Sequence, residues 1–167
     1  MTERALLVKG IRRWLAILLT LCWMGVIFFM SSVTGTESGG MSRRVAAAVG
    51  RVFHGDYDEW LPEEQTAFEE GLQFPIRKAA HFAEYALLGL WLSATLHLWG
   101  MGGRRRFFAA WAAGTVYAAS DEIHQLFVSG RGAAVTDVLI DCAGVLAGCG
   151  LAALILFWRI KRRKKSG

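Results

Sequence analysis

Four long apolar segments, separated by shorter polar or charged stretches, dominate the pattern of this chain. They cover residues 14–30, 76–99, 107–127 and 135–158. Each is close to the ~20 residues that a helix needs to cross the apolar core of a bilayer. The pattern therefore predicts an all-α fold, a four-transmembrane-helix bundle that forms one domain over residues 1–167.

A polar excursion, residues 31–75, separates the first two apolar segments. Its Gly and Ser residues at positions 31–40 favour a loop. In residues 41–53, apolar positions recur at helical spacing with arginines between them, which is typical of an amphipathic helix lying at a membrane surface. Pro62 and the two glutamates that follow it predict the first turn of a short helix that ends at about Leu72.

The composition is that of a membrane protein and differs from that of an ordinary soluble domain. Hydrophobic residues make up 54% of the chain, and the mean hydropathy is +0.34. The net charge of +5 comes from basic residues near the segment ends, which suits membrane orientation better than nucleic-acid binding. We therefore expect the lipid bilayer as a partner and no nucleic acid. All three cysteines lie in apolar segments, so we expect reduced thiols.

The basic clusters also predict an orientation across the membrane. The N-terminus, the turn at residues 104–106 and the C-terminal tail are basic, and the positive-inside rule places all three in the cytoplasm. A multi-pass protein with four spans then has both termini cytoplasmic. Its excursion and the loop at residues 128–134 face outward, which makes the excursion extracytoplasmic.

Charged side chains at the outer ends of segments two, three and four mark the candidate site, because ionisable groups at such depths are costly. Helical spacing places several of them on shared faces. The second segment carries Lys78, His81, Glu84 and Tyr85, the third carries Asp121, Glu122, His124 and Gln125, and Arg131, Asp137 and Asp141 follow.

These residues allow acid–base chemistry or binding without turnover, so the sequence leaves open whether the protein is an enzyme. No Gly-x-Ser-x-Gly elbow frames Ser120 or Ser129 as a nucleophile. The aromatic side chains and an outward-facing arginine would also suit an amphiphile. The candidate catalytic residues are His81, Glu84, Asp121, Glu122 and His124, and the candidate substrate-binding residues are Lys78, Tyr85, Gln125, Arg131, Asp137 and Asp141.

A metal site and a structural ion network are two further interpretations of the same residues. The pairs His81–Glu84 and Asp121–His124 each offer two metal ligands on one helical face. We favour the ion network, because lysine and arginine compete for the same carboxylates. We therefore expect no metal, and the sequence indicates no particular cofactor. Gly144 and Gly148 form a small-xxx-small pattern, which predicts close packing of two helices.

The ordered set of motifs resembles the VanZ-like family of bacterial membrane proteins. One departure is Asp141, where the family often has Asn. The resemblance covers nearly the whole chain and is carried by Ser31-Ser32, Lys78-xx-His81-Phe82-x-Glu84-Tyr85, Leu88-Gly89, Asp121-Glu122-x-His124-Gln125, Gly130-Arg131, Asp137-Val-Leu-Ile-Asp141 and Gly144.

The resemblance implies a four-helix integral membrane protein of the cell envelope. The founding member of the family is associated with low-level resistance to the glycopeptide antibiotic teicoplanin. Our functional hypothesis is therefore an outward-facing polar site that binds or modifies an envelope lipid or an amphiphile such as a lipophilic glycopeptide. The alternatives are a metal-dependent or acid–base hydrolase or transferase acting on lipid headgroups, and a structural membrane protein with a buried ion network.

Overall fold

A computed structural model describes residues 3–165, and this part of the chain is all-α and contains no strand. The predicted fold class is therefore confirmed at the level of an all-α bundle. A short 3-10 turn, Tyr57–Glu59, joins the second helix to the third. The five helices are α1 (Glu3–Ser31), α2 (Gly35–Phe53), α3 (Pro62–Leu98), α4 (Gly103–Gln125) and α5 (Val135–Lys165).

Helix α3 is the centre of the bundle. It packs against each of the other four helices. Its 37 residues correspond to a length of about 55 Å at the usual rise of an α-helix. The excursion helix α2 packs near its N-terminal half, and α1 and α5 contact it further along.

The interface between α3 and α5 is close because glycines let the two main chains approach each other. A Cβ atom added at Gly148 would lie 1.8 Å from the carbonyl oxygen of Ala86, and one at Gly144 would lie 2.5 Å from that of Phe82. The thiol of Cys149 lies 3.6 Å from the carbonyl oxygen of Gly89. The predicted packing role of the Gly144–Gly148 pair is therefore confirmed.

Hydrogen bonds between helices fasten α1 to the rest of the bundle. The hydroxyls of Thr20 and Thr95 lie 2.9 Å apart between α1 and α3. The Trp23 indole donates to the carbonyl of Glu84 at 2.9 Å, and the Tyr117 hydroxyl donates to that of Met24 at 2.7 Å. Bonds of this kind add specific contacts to van der Waals packing between apolar helices.

The outer surface of the bundle is largely apolar. Large apolar side chains on α1 and α5 are exposed, whereas the buried core consists of a few residues such as Ile27, Leu88 and Val145. Exposed apolar surface of this extent is typical of contact with lipid or a partner. Among the described helices, α1 and α5 are long and apolar enough to cross a membrane.

The predicted loop at residues 31–40 is wrong for most of its length. Helix α1 continues to Ser31, and α2 already begins at Gly35. The reason is a capping box at Thr34: its hydroxyl accepts from the amide of Glu37, and the Glu37 carboxylate accepts from the amide of Thr34. The Gly and Ser content of this stretch favours a loop, but the capping pair stabilises the start of a helix within it.

The predicted break between a short helix and the second apolar segment is also wrong, because α3 runs without interruption through Pro75. Proline removes one backbone hydrogen bond inside a helix. Gln73 and Arg77, which lie on either side of Pro75, both approach Gly39 of α2. Helix α3 therefore contacts α2 before and after the proline. At the other end of the bundle, α5 extends beyond the predicted residue 158 through the basic tail to Lys165.

Candidate functional site

One ion pair and one histidine–carboxylate contact join α3 to α5 at one end of the bundle. The Lys78 ammonium group donates a hydrogen bond to the carboxylate of Asp137. His81 Nδ1 lies 3.7 Å from Asp141 Oδ1, which is within ion-pair range but too long for a hydrogen bond. The four residues come from segments that the sequence analysis expected to meet at one level.

A buried hydrogen-bond group joins α4 to the end of α1. The Ser31 hydroxyl donates to Asp121 Oδ2 at 2.6 Å, and the Gln125 amide lies 3.4 Å from both of these atoms. All three side chains are buried. Charge-assisted bonds of this length are among the stronger polar contacts in proteins, so this group positions the C-terminal end of α4 against α1.

Glu122 has a clear structural contact. Its carboxylate accepts a hydrogen bond of 2.7 Å from the amide of Ala134, the residue that precedes α5. A carboxylate at this position satisfies one of the free amides at a helix N-terminus and interacts well with the helix dipole. Glu122 therefore fastens the start of α5 to α4.

His124 faces α1. Its ring stacks on Phe28 with a centroid distance of 4.4 Å, and its Nε2 atom lies 3.1 Å from the Ser32 hydroxyl. Asp121, one helical turn earlier, bonds to Ser31 instead. The described residues contain no group of three or more His, Cys, Asp or Glu side chains arranged to hold a metal ion.

Arg131 ties the loop between α4 and α5 to the end of α1. Its guanidinium group donates to the carbonyl oxygens of Val33 at 2.8 Å and Met30 at 3.1 Å. Burial lowers the pKa of Arg131, and the positive charge of Arg77 lowers it further. Nearby carboxylates, of which Asp121 has the largest effect, raise the pKa of Arg131 and so oppose this shift.

Arg77 and Arg131 line a cavity of about 140 Å³ between α1, α2 and α3, which we call the outer pocket. A cavity of this size has room for several water molecules or for one small anionic group. The Arg77 Nε atom is buried and has no hydrogen-bond partner among the described residues. The other lining residues are Met30, Ser31, Ser38, Met41, Ser42, Val45, Ile76, Ala80, His81 and Glu84.

Several other buried polar atoms at this end of the bundle have no hydrogen-bond partner within the described residues. Buried polar groups are normally hydrogen-bonded. These atoms could therefore accept or donate hydrogen bonds to a bound molecule or to water. The atoms are the Tyr85 hydroxyl and one carboxylate oxygen each of Asp121, Glu122 and Asp141.

A family model described as VanZ/LLP1 matches residues 16–157 of the chain. The chain belongs to the VanZ/LLP1 family. The matched range contains every candidate site residue, and the resemblance predicted from the ordered motifs is confirmed. No curated protein and no solved structure matches the chain.

Arg77 is the residue of this VanZ-like protein that the sequence analysis missed. It lies four residues before His81 and seven before Glu84, so the three share one helical face, and all three line the outer pocket. The helical spacing of these three residues is a signal present in the sequence, and it distinguishes Arg77 from Lys78. Ser38 and Ser42 also line the outer pocket. Their position there depends on how α2 packs against α3, and nothing in the sequence around them indicates it.

Proposed function

We propose that this VanZ-like protein binds the anionic headgroup of an envelope amphiphile in the outer pocket. The observation that carries the proposal is the pair of guanidinium groups, Arg77 and Arg131, in one small cavity. Arginine offers several donors in a planar fork that fits a phosphate or a carboxylate. An anion bound there would be attracted by both cations.

The apolar part of the pocket lining supports an amphiphile over a free anion. Met30, Met41, Val45 and Ile76 lie in the same cavity as the arginines. Met41 and Val45 are also exposed on α2, and Val52 continues their row along the helix at 77% exposure. A helix with an apolar row beside a basic face suits the interface of a membrane, which would bring lipid chains next to the pocket.

A four-span topology in the inner membrane completes the proposal. Residues 76–98 of α3 are long enough, at about 35 Å, to cross the apolar core alongside α1 and α5. In α4, residues 107–120 carry no charge. The spans would place both termini in the cytoplasm and the outer pocket near the extracytoplasmic surface.

Lipophilic glycopeptides are candidate ligands of the outer pocket. Teicoplanin-type antibiotics carry an acyl chain and ionisable groups, so they have the chemistry that the outer pocket would accept. We propose that the protein changes teicoplanin susceptibility by binding the antibiotic or an envelope lipid. Expression of the wild-type protein in a susceptible host should raise the inhibitory concentration of teicoplanin, and the Arg77→Gln variant should not.

Direct binding tests the proposal with purified full-length protein. Titration with short-chain phosphatidic acid, and separately with teicoplanin, should show binding that Arg77→Gln weakens by about tenfold or more, since a hydrogen bond to a charged group is worth about 1.5–3 kcal/mol. Arg43→Gln removes the same charge from an exposed position of α2 outside the pocket lining. Equal weakening by both variants would show nonspecific charge attraction and would overturn the proposal.

An acid–base hydrolase or transferase is the second candidate function. It is favoured by the position of His81 and Glu84 in the same pocket as the two arginines. Under this candidate, His81 or Glu84 exchanges a proton with a headgroup that Arg77 and Arg131 hold. Glu84→Gln should then abolish product formation from the phosphatidic acid probe while its binding stays within about twofold, whereas no turnover by the wild type would favour binding alone.

A further inference from the structure

A second site lies at the opposite end of the bundle, in a groove that runs along α3 between α1 and α5. Two adjoining cavities of about 660 and 250 Å³ form this groove. They belong together because five residues line both of them: Arg12, His97, Leu98, Leu156 and Arg159. We call this feature the basic groove.

The basic groove is far from the outer pocket. Arg12 precedes Ser31 by 19 residues on α1, a distance of about 28 Å along a helix. Arg159 follows Asp141 by 18 residues on α5, which corresponds to about 27 Å. The two sites therefore cannot share one headgroup.

One half of the basic groove is cationic. Its guanidinium groups come from Arg12 on α1 and from Arg159, Arg162 and Arg163 on α5, and the imidazole of His97 on α3 also lines it. Nearly all acidic residues lie elsewhere: Glu3 is the one acidic residue in the sequence outside residues 37–141, and between Glu84 and Asp121 there is none. The field at this end therefore attracts anions strongly.

The other half of the basic groove is apolar. Its lining consists of Leu90, Ala94, Ala152, Ile155 and Leu156, beside the shared basic residues. The small side chains of Ala94 on α3 and Ala152 on α5 leave space between the two larger walls. A hydrocarbon chain placed there would leave water and bury apolar surface.

We propose that the basic groove binds an anionic phospholipid. The phosphate would lie between the guanidinium groups of Arg12 and Arg159, and one acyl chain would follow α3 towards Ala94. Arginine suits this role because its planar fork binds phosphate oxygens in pairs. Such a lipid would connect α1 to α5 across α3, and the apolar half of the groove selects a lipid over a soluble phosphate.

Arg12 and Arg159 are the two arginines that line both cavities of the groove, whereas two neighbouring cations make other contacts. Arg13 donates to the carbonyl of Leu98 at 2.9 Å and lies over the ring of Trp99. The ammonium group of Lys161 lies 5.7 Å from the ring centroid of Trp158. Neither residue lines the groove.

Native mass spectrometry of the purified full-length protein tests this proposal. The protein is incubated with equal amounts of phosphatidylglycerol and phosphatidylcholine, and the lipid that stays bound is identified. The wild type should retain phosphatidylglycerol selectively, and the R12Q/R159Q variant should retain at least tenfold less. The R104Q/R105Q variant loses the same charge from exposed positions outside the groove and should retain as much as the wild type.

A third variant, Ala94→Phe, fills the apolar half without changing any charge and should also reduce retention. Three results would overturn the proposal: equal loss in both arginine double variants, equal retention of the two lipids, or full retention by Ala94→Phe. Complete displacement of the lipid by glycerol phosphate at equal concentration would do the same, since the headgroup alone would then suffice. Normal retention by Arg77→Gln would show that the retained lipid is bound in the basic groove and not in the outer pocket.

Discussion

Arg77 and Lys78 are neighbours in the chain but serve different parts of the molecule. Arg77 lines the outer pocket beside α2, whereas Lys78 pairs with Asp137 on α5. The difference follows from helix geometry, because successive residues point about 100° apart. One residue is thus a candidate for ligand binding, and the other holds two helices together.

The Lys78–Asp137 pair should contribute measurably to stability. Lys78→Met leaves the Asp137 carboxylate without its partner in a largely buried site, since the two side chains are only 19% and 21% exposed. We expect this variant to lower the free energy of unfolding by about 1–3 kcal/mol. Thermal unfolding of the purified protein in detergent measures the change.

The exposed pair Arg51–Asp58 is the matched control for that experiment. Its side chains are 57% and 72% exposed, so Arg51→Met should cost no more than about 1 kcal/mol. A further variant with both Lys78→Met and Asp137→Leu should recover much of the lost stability, because no unpaired charge stays buried. Equal effects of Lys78→Met and Arg51→Met would contradict a role for burial.

The candidate residues on α3, α4 and α5 could be predicted from the sequence because charge is rare in apolar segments. Lys78, His81, Asp137 and Asp141 were expected at one level, and they form two pairs there. Which residues pair could not be read from helical spacing, because pairing depends on the rotation of each helix. His124, one turn after Asp121 on α4, contacts Phe28 and Ser32 at the end of α1, partners that helical spacing alone could not give.

At the scale of helices, the contact between α3 and α5 gives a further prediction. Gly148→Ala places a Cβ atom 1.8 Å from the carbonyl oxygen of Ala86, so the two helices must move apart. We expect a loss of about 1–3 kcal/mol in the free energy of unfolding, as for other overpacked interiors. Denaturation in detergent, followed by the helical signal, measures this loss.

Gly150→Ala is the control on the same helix. A Cβ atom at Gly150 meets no heavy atom within 4 Å, and alanine is a better helix former than glycine, so stability should stay equal or rise by up to about 1 kcal/mol. If Gly148→Ala were as stable as Gly150→Ala, the close main-chain contact between α3 and α5 would be refuted.

The helical type of the elements could be predicted from apolar periodicity, but their number and two boundaries could not. The Thr34–Glu37 capping box makes α2 begin at Gly35, in a stretch whose composition favours a loop. Contacts of Gln73 and Arg77 with Gly39 flank Pro75, at which a break was expected. In both places a specific interaction outweighed the local composition.

The whole molecule has a strong separation of charge along its length. Thirteen of its nineteen Lys and Arg residues, and one of its fourteen acidic residues, lie before residue 14, at positions 104–106 or after residue 158. The remaining six basic and thirteen acidic residues lie at positions 37–84 and 121–141. The positive-inside rule then predicts which end faces the cytoplasm.

Cysteine labelling tests this orientation in a background without native cysteines. Asp56→Cys lies in an exposed turn after α2, and Arg105→Cys lies in the exposed first turn of α4. In spheroplasts, a membrane-impermeant maleimide should label the first variant at once and the second only after permeabilisation. The reverse result, or labelling of both in intact spheroplasts, would contradict the proposed topology.

One uninterrupted helix, α3, contributes side chains to both the outer pocket and the basic groove. Helix α3 supplies Arg77, His81 and Glu84 to the outer pocket, and Ala94 and His97 to the basic groove. A tilt of this helix about its middle would therefore change the width of both cavities in one movement. If filling one cavity fixes the tilt, thermodynamic linkage requires that filling the other alter the affinity of the first by an equal factor.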